Sequence, residues 1–154
     1  MTTLRDEIRQ NAPFTSLQQE AALNVMRTAN QLVAEVEQLL KPHGLGITQY
    51  NVLRILRGSE SDGLCRNDLR SRMLSRMPDM TRLLDRMEQA GLVERERGEA
   101  DRRVVHTRIT PEGLRLINEL DEPMAELHRR QLSHLSEPQL QTLVELLTVV
   151  RRPG

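Results

Sequence analysis

The stretch Met80-Thr81-Arg82-Leu83-Leu84-Asp85-Arg86-Met87-Glu88-Gln89-Ala90-Gly91-Leu92-Val93 changes its period part-way along. Its apolar residues first fall at Met80, Leu83, Leu84 and Met87, the spacing of one helical face. Pro78, just upstream, suits the first turn of a helix, where a missing N–H costs nothing, and Gly91 suits the end of one. A helix is therefore expected over 78–90. Beyond Gly91, 92–97 reads as extended, 98–102 as a turn and 103–109 as a β-branched strand. Val105, Thr107 and Ile109 share one face of that strand, and Val104, His106 and Arg108 the other. A helix running straight into a hairpin with a charged tip is the organising feature of the chain.

Working outward, a shorter helix is expected over 65–73 with Leu69 inward, and a turn at 74–77 separates the two. Two short helices joined by about four residues have helix-turn-helix spacing. Upstream, Thr48 is expected to cap a helix facing Val52, Leu53, Ile55 and Leu56 inward, followed by a polar turn at 58–63. Earlier still, Ala22, Val25, Ala29, Leu32, Val36 and Leu39 recur at steps of three and four along a helix of about 25 residues starting at Ser16. Met26, Val33 and Leu40 add a second apolar edge, which predicts burial on more than one side. Pro42, Gly44 and Gly46 end that helix, and 1–13 form a loose or briefly helical arm. Downstream, Thr110 and Pro111 start a helix with Leu116 or Ile117, Leu120, Met124 and Leu127 inward. Pro123 is expected to kink or split it. A last helix starts at Ser136-Glu137-Pro138 and presents Leu140, Leu143, Leu147 and Val150.

The expected fold is mainly α with a small β-hairpin wing: a winged helix-turn-helix domain flanked by N- and C-terminal dimerisation helices. The whole of 1–154 reads as a single domain, with the winged lobe over 48–110. The flanking helices, 16–41 and 111–151, carry heptad-like stripes too long for one lobe to cover, hence their reading as a dimer layer.

Composition bounds the function. A chain of 154 residues can bury roughly 68–70% of its unfolded surface without staples. Cys65 is the only cysteine, which excludes an intrachain disulfide and a cysteine-cluster metal site. No run of 18 apolar residues and no charged-then-apolar leader is present, so a cytoplasmic protein without membrane contact is expected. Phe14 and Tyr50 are the only aromatics, too few for a platform that stacks single-stranded bases. The 22 basic residues, 21 of them arginine, balance 22 acids. That balance is uneven along the chain: 62–110 hold eleven arginines against nine acids, and 111–154 hold five against seven. Such a cluster is either a solvated helix face or a surface for duplex DNA, whose phosphates and guanine edges suit guanidinium forks.

The ordered pattern resembles the MarR family of winged-helix transcriptional regulators over about residues 16–150. Met80 to Glu88 followed by Ala90-Gly91-Leu92-Val93 is similar to that family's recognition helix entering its wing. Asp101-Arg102-Arg103 with Ile109-Thr110-Pro111-Glu112-Gly113 is similar to its wing signature (Asp-x-Arg, five residues, Leu-Thr-x-x-Gly) across thirteen positions, with Ile109 in place of leucine. The resemblance implies a homodimer in which the terminal helices intertwine and two lobes read adjacent major grooves of a pseudo-palindromic operator. It further implies a regulator, more often a repressor, released by a small anionic or phenolic ligand or by cysteine oxidation.

In that frame Asp79, Thr81 and Arg82, at the start of the recognition helix, are placed to meet base edges. Arg86 lies one turn on, placed for phosphate or for an ion pair with Asp85 or Glu88. Ser75 and Arg76 precede the helix, whose N-terminus favours anions, while Arg66 and Asn67 open the helix across the DNA backbone. An arginine on a hairpin tip reaches a narrow minor groove. The family pattern gives that role to Arg103 braced by Asp101, with Arg102 as its neighbouring alternative. The effector pocket is expected between dimer helices and lobe, near Met26, Asn30, Tyr50 and Arg54. Cys65 is a redox candidate or a small cap residue. His43, His106, His128 and His134 are scattered, and no catalytic set or glycine-rich phosphate loop stands out, so neither metal, cofactor nor catalysis is expected. The alternatives are a helical interaction module whose winged helix no longer binds DNA, and a redox-responsive regulator using Cys65.

Overall fold

Helix starts in this chain follow its side-chain caps. Ser16 accepts the Gln19 N–H at 3.0 Å, Thr110 accepts that of Gly113 at 3.0 Å, and Ser136 forms a capping box with Gln139. A computed structural model describes residues 1–59, 62–76 and 79–152. Among these the order is α1 (Leu4–Glu7), α2 (Leu17–Leu40), α3 (Ile47–Arg57), β1 (Leu64–Cys65), α4 (Arg66–Ser71), α5 (Met80–Gln89), β2 (Val93–Arg97), β3 (Val105–Ile109), α6 (Pro111–Gln131) and α7 (Glu137–Val150). The chain is mainly helical with a small β wing, as its periodicities indicate.

Several boundaries differ from the sequence expectation, each for a local reason. Gly46, not Thr48, caps α3, because Gln49 reaches back to the Gly46 N–H at 3.0 Å and completes the cap without a hydroxyl. Helix α5 starts at Met80 because Asp79 is its cap, its Oδ1 accepting the Arg82 N–H at 3.0 Å. Pro78 and Met77, expected in that first turn and in the preceding connection, lie outside the described residues, as do Glu60 and Ser61 of the 58–63 turn. Helix α4 is shorter than expected, and Cys65 is its cap and the second residue of β1 rather than a helical residue. Helix α6 runs unsplit through Pro123. Its buried face of Ile117, Leu120, Met124 and Leu127 spans the proline, so packing outweighs one lost backbone hydrogen bond.

The wing is a three-stranded antiparallel sheet in the order β1-β3-β2. Leu64 pairs with Thr107 and Arg95 with Thr107 from the other side. Strand β1 is too short to show a period in the sequence. It docks through Gly63, whose φ is 81° and where a Cβ would lie 2.4 Å from the Thr107 carbonyl oxygen.

The core lies where the winged lobe packs on α6 and the end of α2. Val52, Leu53, Leu69, Met87, Ile117 and Leu120 are fully buried there, joined by Leu40 at the end of α2. Each such side chain contributes about 1.5–3 kcal/mol by leaving water. The outer helices are different. On α2 only Val36 and Leu40 are buried, while Met26 is 61% exposed, so the expected burial on more than one side is not reached within one chain. No residue of α7 is buried, and Val144 and Val150 are 64% and 69% exposed.

Candidate nucleic-acid interface

Helix α5 buries Met80, Leu83, Leu84 and Met87, which turns Thr81, Arg82, Asp85 and Arg86 outward. The side chains of Arg82 and Arg86 make no ion pair with another described residue. Thr81 is held: the Arg66 Nη1 donates to its Oγ1 at 3.0 Å, linking the first residue of α4 to the first turn of α5. Asn67, beside Arg66, is exposed. The Asp79 carboxylate serves the helix cap, giving that residue a structural use as well as its outward place. Ser75 and Arg76 are exposed and precede the helix and its cap, as expected from the sequence.

Across a groove of about 360 Å³ from α5 stands the wing, and Arg66, Thr81, Arg95 and Arg103 all line this groove. At its tip the Gly98 N–H donates to the Val104 carbonyl at 2.8 Å and the Val104 N–H to Asp101 at 3.1 Å. The Asp101 Oδ1 accepts from the Arg103 N–H at 3.0 Å and from its Nε at 3.3 Å, the brace expected of it. The Arg103 side chain is nevertheless 93% exposed, held at its root and free at its end. Arg97 donates to the Arg102 carbonyl at 3.0 Å, and the Arg102 side chain has no ion pair among the described residues.

Two ion-pair clusters were not read from the sequence. Arg95 Nη2 lies 2.5 Å from Asp85 Oδ1 and 3.0 Å from Glu88 Oε1, and the Arg95 backbone N–H donates to Glu88 Oε2 at 3.0 Å. These bonds hold the Glu88 carboxyl below its ordinary range. They also occupy both acids that Arg86 had been expected to meet. A signal was available: alternation puts Arg95 on the same strand face as buried Val93, and an arginine there needs carboxylates from the helix it packs on. In the second cluster Arg57 forks onto Asp121 at 2.8 and 2.9 Å and also donates to Asn118 at 3.0 Å, joining α3 to α6. The two partners are 64 residues apart, and no local pattern announces them.

Such an assembly offers hydrogen-bond donors and cations. The MarR-family sequence pattern matches residues 45–105, which span α3 to the start of β3. The chain is 30% identical over 124 residues to the HTH-type transcriptional repressor IacR of Pseudomonas putida, covering 80% of this chain and 73% of that protein. The chain belongs to the MarR family. As a member it is a DNA-binding transcriptional regulator and not an enzyme. It is 32% identical over 109 residues to the homoprotocatechuate degradative operon repressor of Escherichia coli, covering 71% of this chain and 72% of that one. Among solved structures it resembles a MarR transcription factor from Planctomyces limnophilus, at 39% identity and a TM-score of 0.68, over 89% of this chain and 99% of that one.

Met26 and Asn30 are exposed on α2, Arg54 is exposed on α3, and Tyr50 is half-buried. Burial chiefly, and then the charge of Asp121, push the Tyr50 phenol up, against the opposing charges of Arg57 and Arg54. The Cys65 thiol donates to Asp68 Oδ2 at 3.2 Å on the wall of the α5–wing groove. Among the described residues no three His, Cys, Asp or Glu side chains come together as a metal site. Nor is any of their helices long and apolar enough to cross a membrane.

Proposed function

We propose that this MarR-family regulator is a sequence-specific repressor that binds a pseudo-palindromic duplex operator as a homodimer. In this reading 48–110 form the DNA-binding lobe, and 16–41 with 111–151 form the dimer layer, all within the single domain 1–154. Arg82, Thr81 and Asp79 meet base edges in the major groove. Arg86, Arg76, Ser75, Arg66 and Asn67 meet the backbone, and Arg103 enters the minor groove with Asp101 as its brace and Arg102 beside it. A small anionic or phenolic effector would act between lobe and dimer helices, near Tyr50 and Arg54, with Met26 and Asn30 supplied from α2.

The observation that carries this reading is the pairing pattern of the arginines. Where α5 and the wing face outward, Arg82, Arg86 and Arg102 make no ion pair among the described residues and Arg103 is almost wholly exposed, while Asp85, Glu88 and Asp101 are engaged. Exposed apolar residues on α2 and α7 support a second copy as partner. The repressor names of the Pseudomonas and Escherichia relatives support the direction of regulation.

The test is binding to duplex fragments selected from genomic DNA, measured as a function of salt. If a dimer neutralises about eight phosphates, log K falls with log salt at a slope of roughly −7. The selected fragments should share a two-fold repeat with half-sites about one helical turn apart. A flat salt response with no shared repeat would overturn the reading and leave a winged interaction module.

A further inference from the structure

The recognition segment has an unfavourable charge for its proposed task. Residues 79–89 hold two arginines, Arg82 and Arg86, against three acids, Asp79, Asp85 and Glu88. Asp79 is the helix cap. Asp85 stands four residues after Thr81 and three after Arg82, hence one turn along on the same outward face. Left alone, it would repel phosphates from the face that is meant to approach them.

We propose that Arg95 is a positioning residue for DNA binding: from β2 it engages the Asp85 and Glu88 carboxylates and withdraws two negative charges from the face that Arg82 and Arg86 present to the duplex. This rests on the duplex-DNA reading above and adds a residue to it. Three observations carry it. One guanidinium nitrogen of Arg95 serves both acids, at 2.5 Å and 3.0 Å, and its backbone N–H serves Glu88 again at 3.0 Å. Its side chain is 22% exposed, against 93% for Arg103, so it is an anchor between wing and helix rather than a free arm. With both acids engaged, neither Arg82 nor Arg86 makes an ion pair with a carboxylate among the described residues. The same bonds hold α5 at a set distance from the wing, so charge masking and the spacing of the two DNA-facing elements depend on one side chain.

The experiment separates masking from direct phosphate contact. A labelled duplex selected by the wild-type protein is titrated with wild type, Arg95→Ala, and Arg95→Ala combined with Asp85→Asn and Glu88→Gln, across a salt series and beside thermal melts. Arg95→Ala is expected to bind about tenfold or more weakly, since two carboxylates then face the phosphates uncompensated. The triple variant is expected to return to within about threefold of wild type, because the charges that needed masking are gone. Unchanged affinity of Arg95→Ala overturns the proposal. A triple variant that stays as weak as the single one also overturns it, and a salt slope shallower by about one would then identify Arg95 as a phosphate ligand. If Arg95→Ala alone fails to fold, the Asp85→Asn, Glu88→Gln pair with and without Arg95→Ala carries the same comparison. No wild-type binding to any selected duplex would overturn the DNA reading itself, a result distinct from loss of the masking effect alone.

Discussion

Arg82 and Arg86 sit one turn apart on α5, and neither side chain makes an ion pair with another described residue. Arg95 and Arg108 are held by carboxylates, and Arg66 by the Thr81 hydroxyl. The Arg82 guanidinium makes no hydrogen bond or ion pair among the described residues, so a bidentate contact to a guanine edge breaks none of their bonds. Arg82→Ala is expected to cost about 1–3 kcal/mol of operator affinity and to relax preference at one base position. Competition among operator variants would show this, and equal weakening on every variant would make Arg82 a phosphate contact instead. At this scale the sequence was informative about position but not about engagement. Helical spacing placed Thr81, Arg82 and Arg86 outward, yet only the packed structure shows that Thr81 is bound by Arg66 of α4 and that Asp85 and Glu88 answer to Arg95 of the wing.

Among the elements, the junction of wing and α6 explains why threonine and glycine stand three residues apart. Thr110 donates its hydroxyl proton to the Gly91 carbonyl at 2.6 Å and accepts the Gly113 N–H at 3.0 Å, fastening the end of α5, the end of β3 and the start of α6. Gly113 then passes so close to the chain that a Cβ would lie 2.3 Å from the Leu92 carbonyl oxygen. Backbone is on both sides of that contact, so relief requires α6 to move. Gly113→Ala is expected to destabilise the fold by about 1–3 kcal/mol through overpacking, seen as a lower denaturant midpoint. An unchanged midpoint would show that α6 can shift freely. The periodic elements α2, α3, α5, α6 and α7 were legible because each carries a stripe several turns long. Strand β1 was not, since two residues have no period and their pairing partner is more than 40 residues away.

For the whole molecule, the Arg57–Asp121 fork is the main polar tie between lobe and α6. Its hydrogen bond from Arg57 holds the Asp121 carboxyl below its ordinary value of 3.8. A depressed carboxylate stabilises the fold above its ordinary value and loses that contribution as pH falls through the folded value. With Asp121 half-exposed, the pair is worth about 0.5–1 kcal/mol after solvent screening. Asp121→Asn should therefore be less stable than wild type by that amount at neutral pH, with the gap closing as pH falls below 3.8. Denaturant melts between pH 7 and 3 test this, and a gap independent of pH would remove the charge from the explanation. Sequence by itself determined the order of the long helices and of strands β2 and β3, helix α5 and the wing signature, because these follow from periodicity and short-range caps. It also showed apolar stripes on α2 and α7 in excess of what one lobe can cover. Only the tertiary structure decided which arginines are engaged, that β1 joins the wing, and that Arg57 meets Asp121. The physical reason is range: periodicity and caps act within a few residues, whereas an ion pair between distant segments exists only once the core has brought their backbones together.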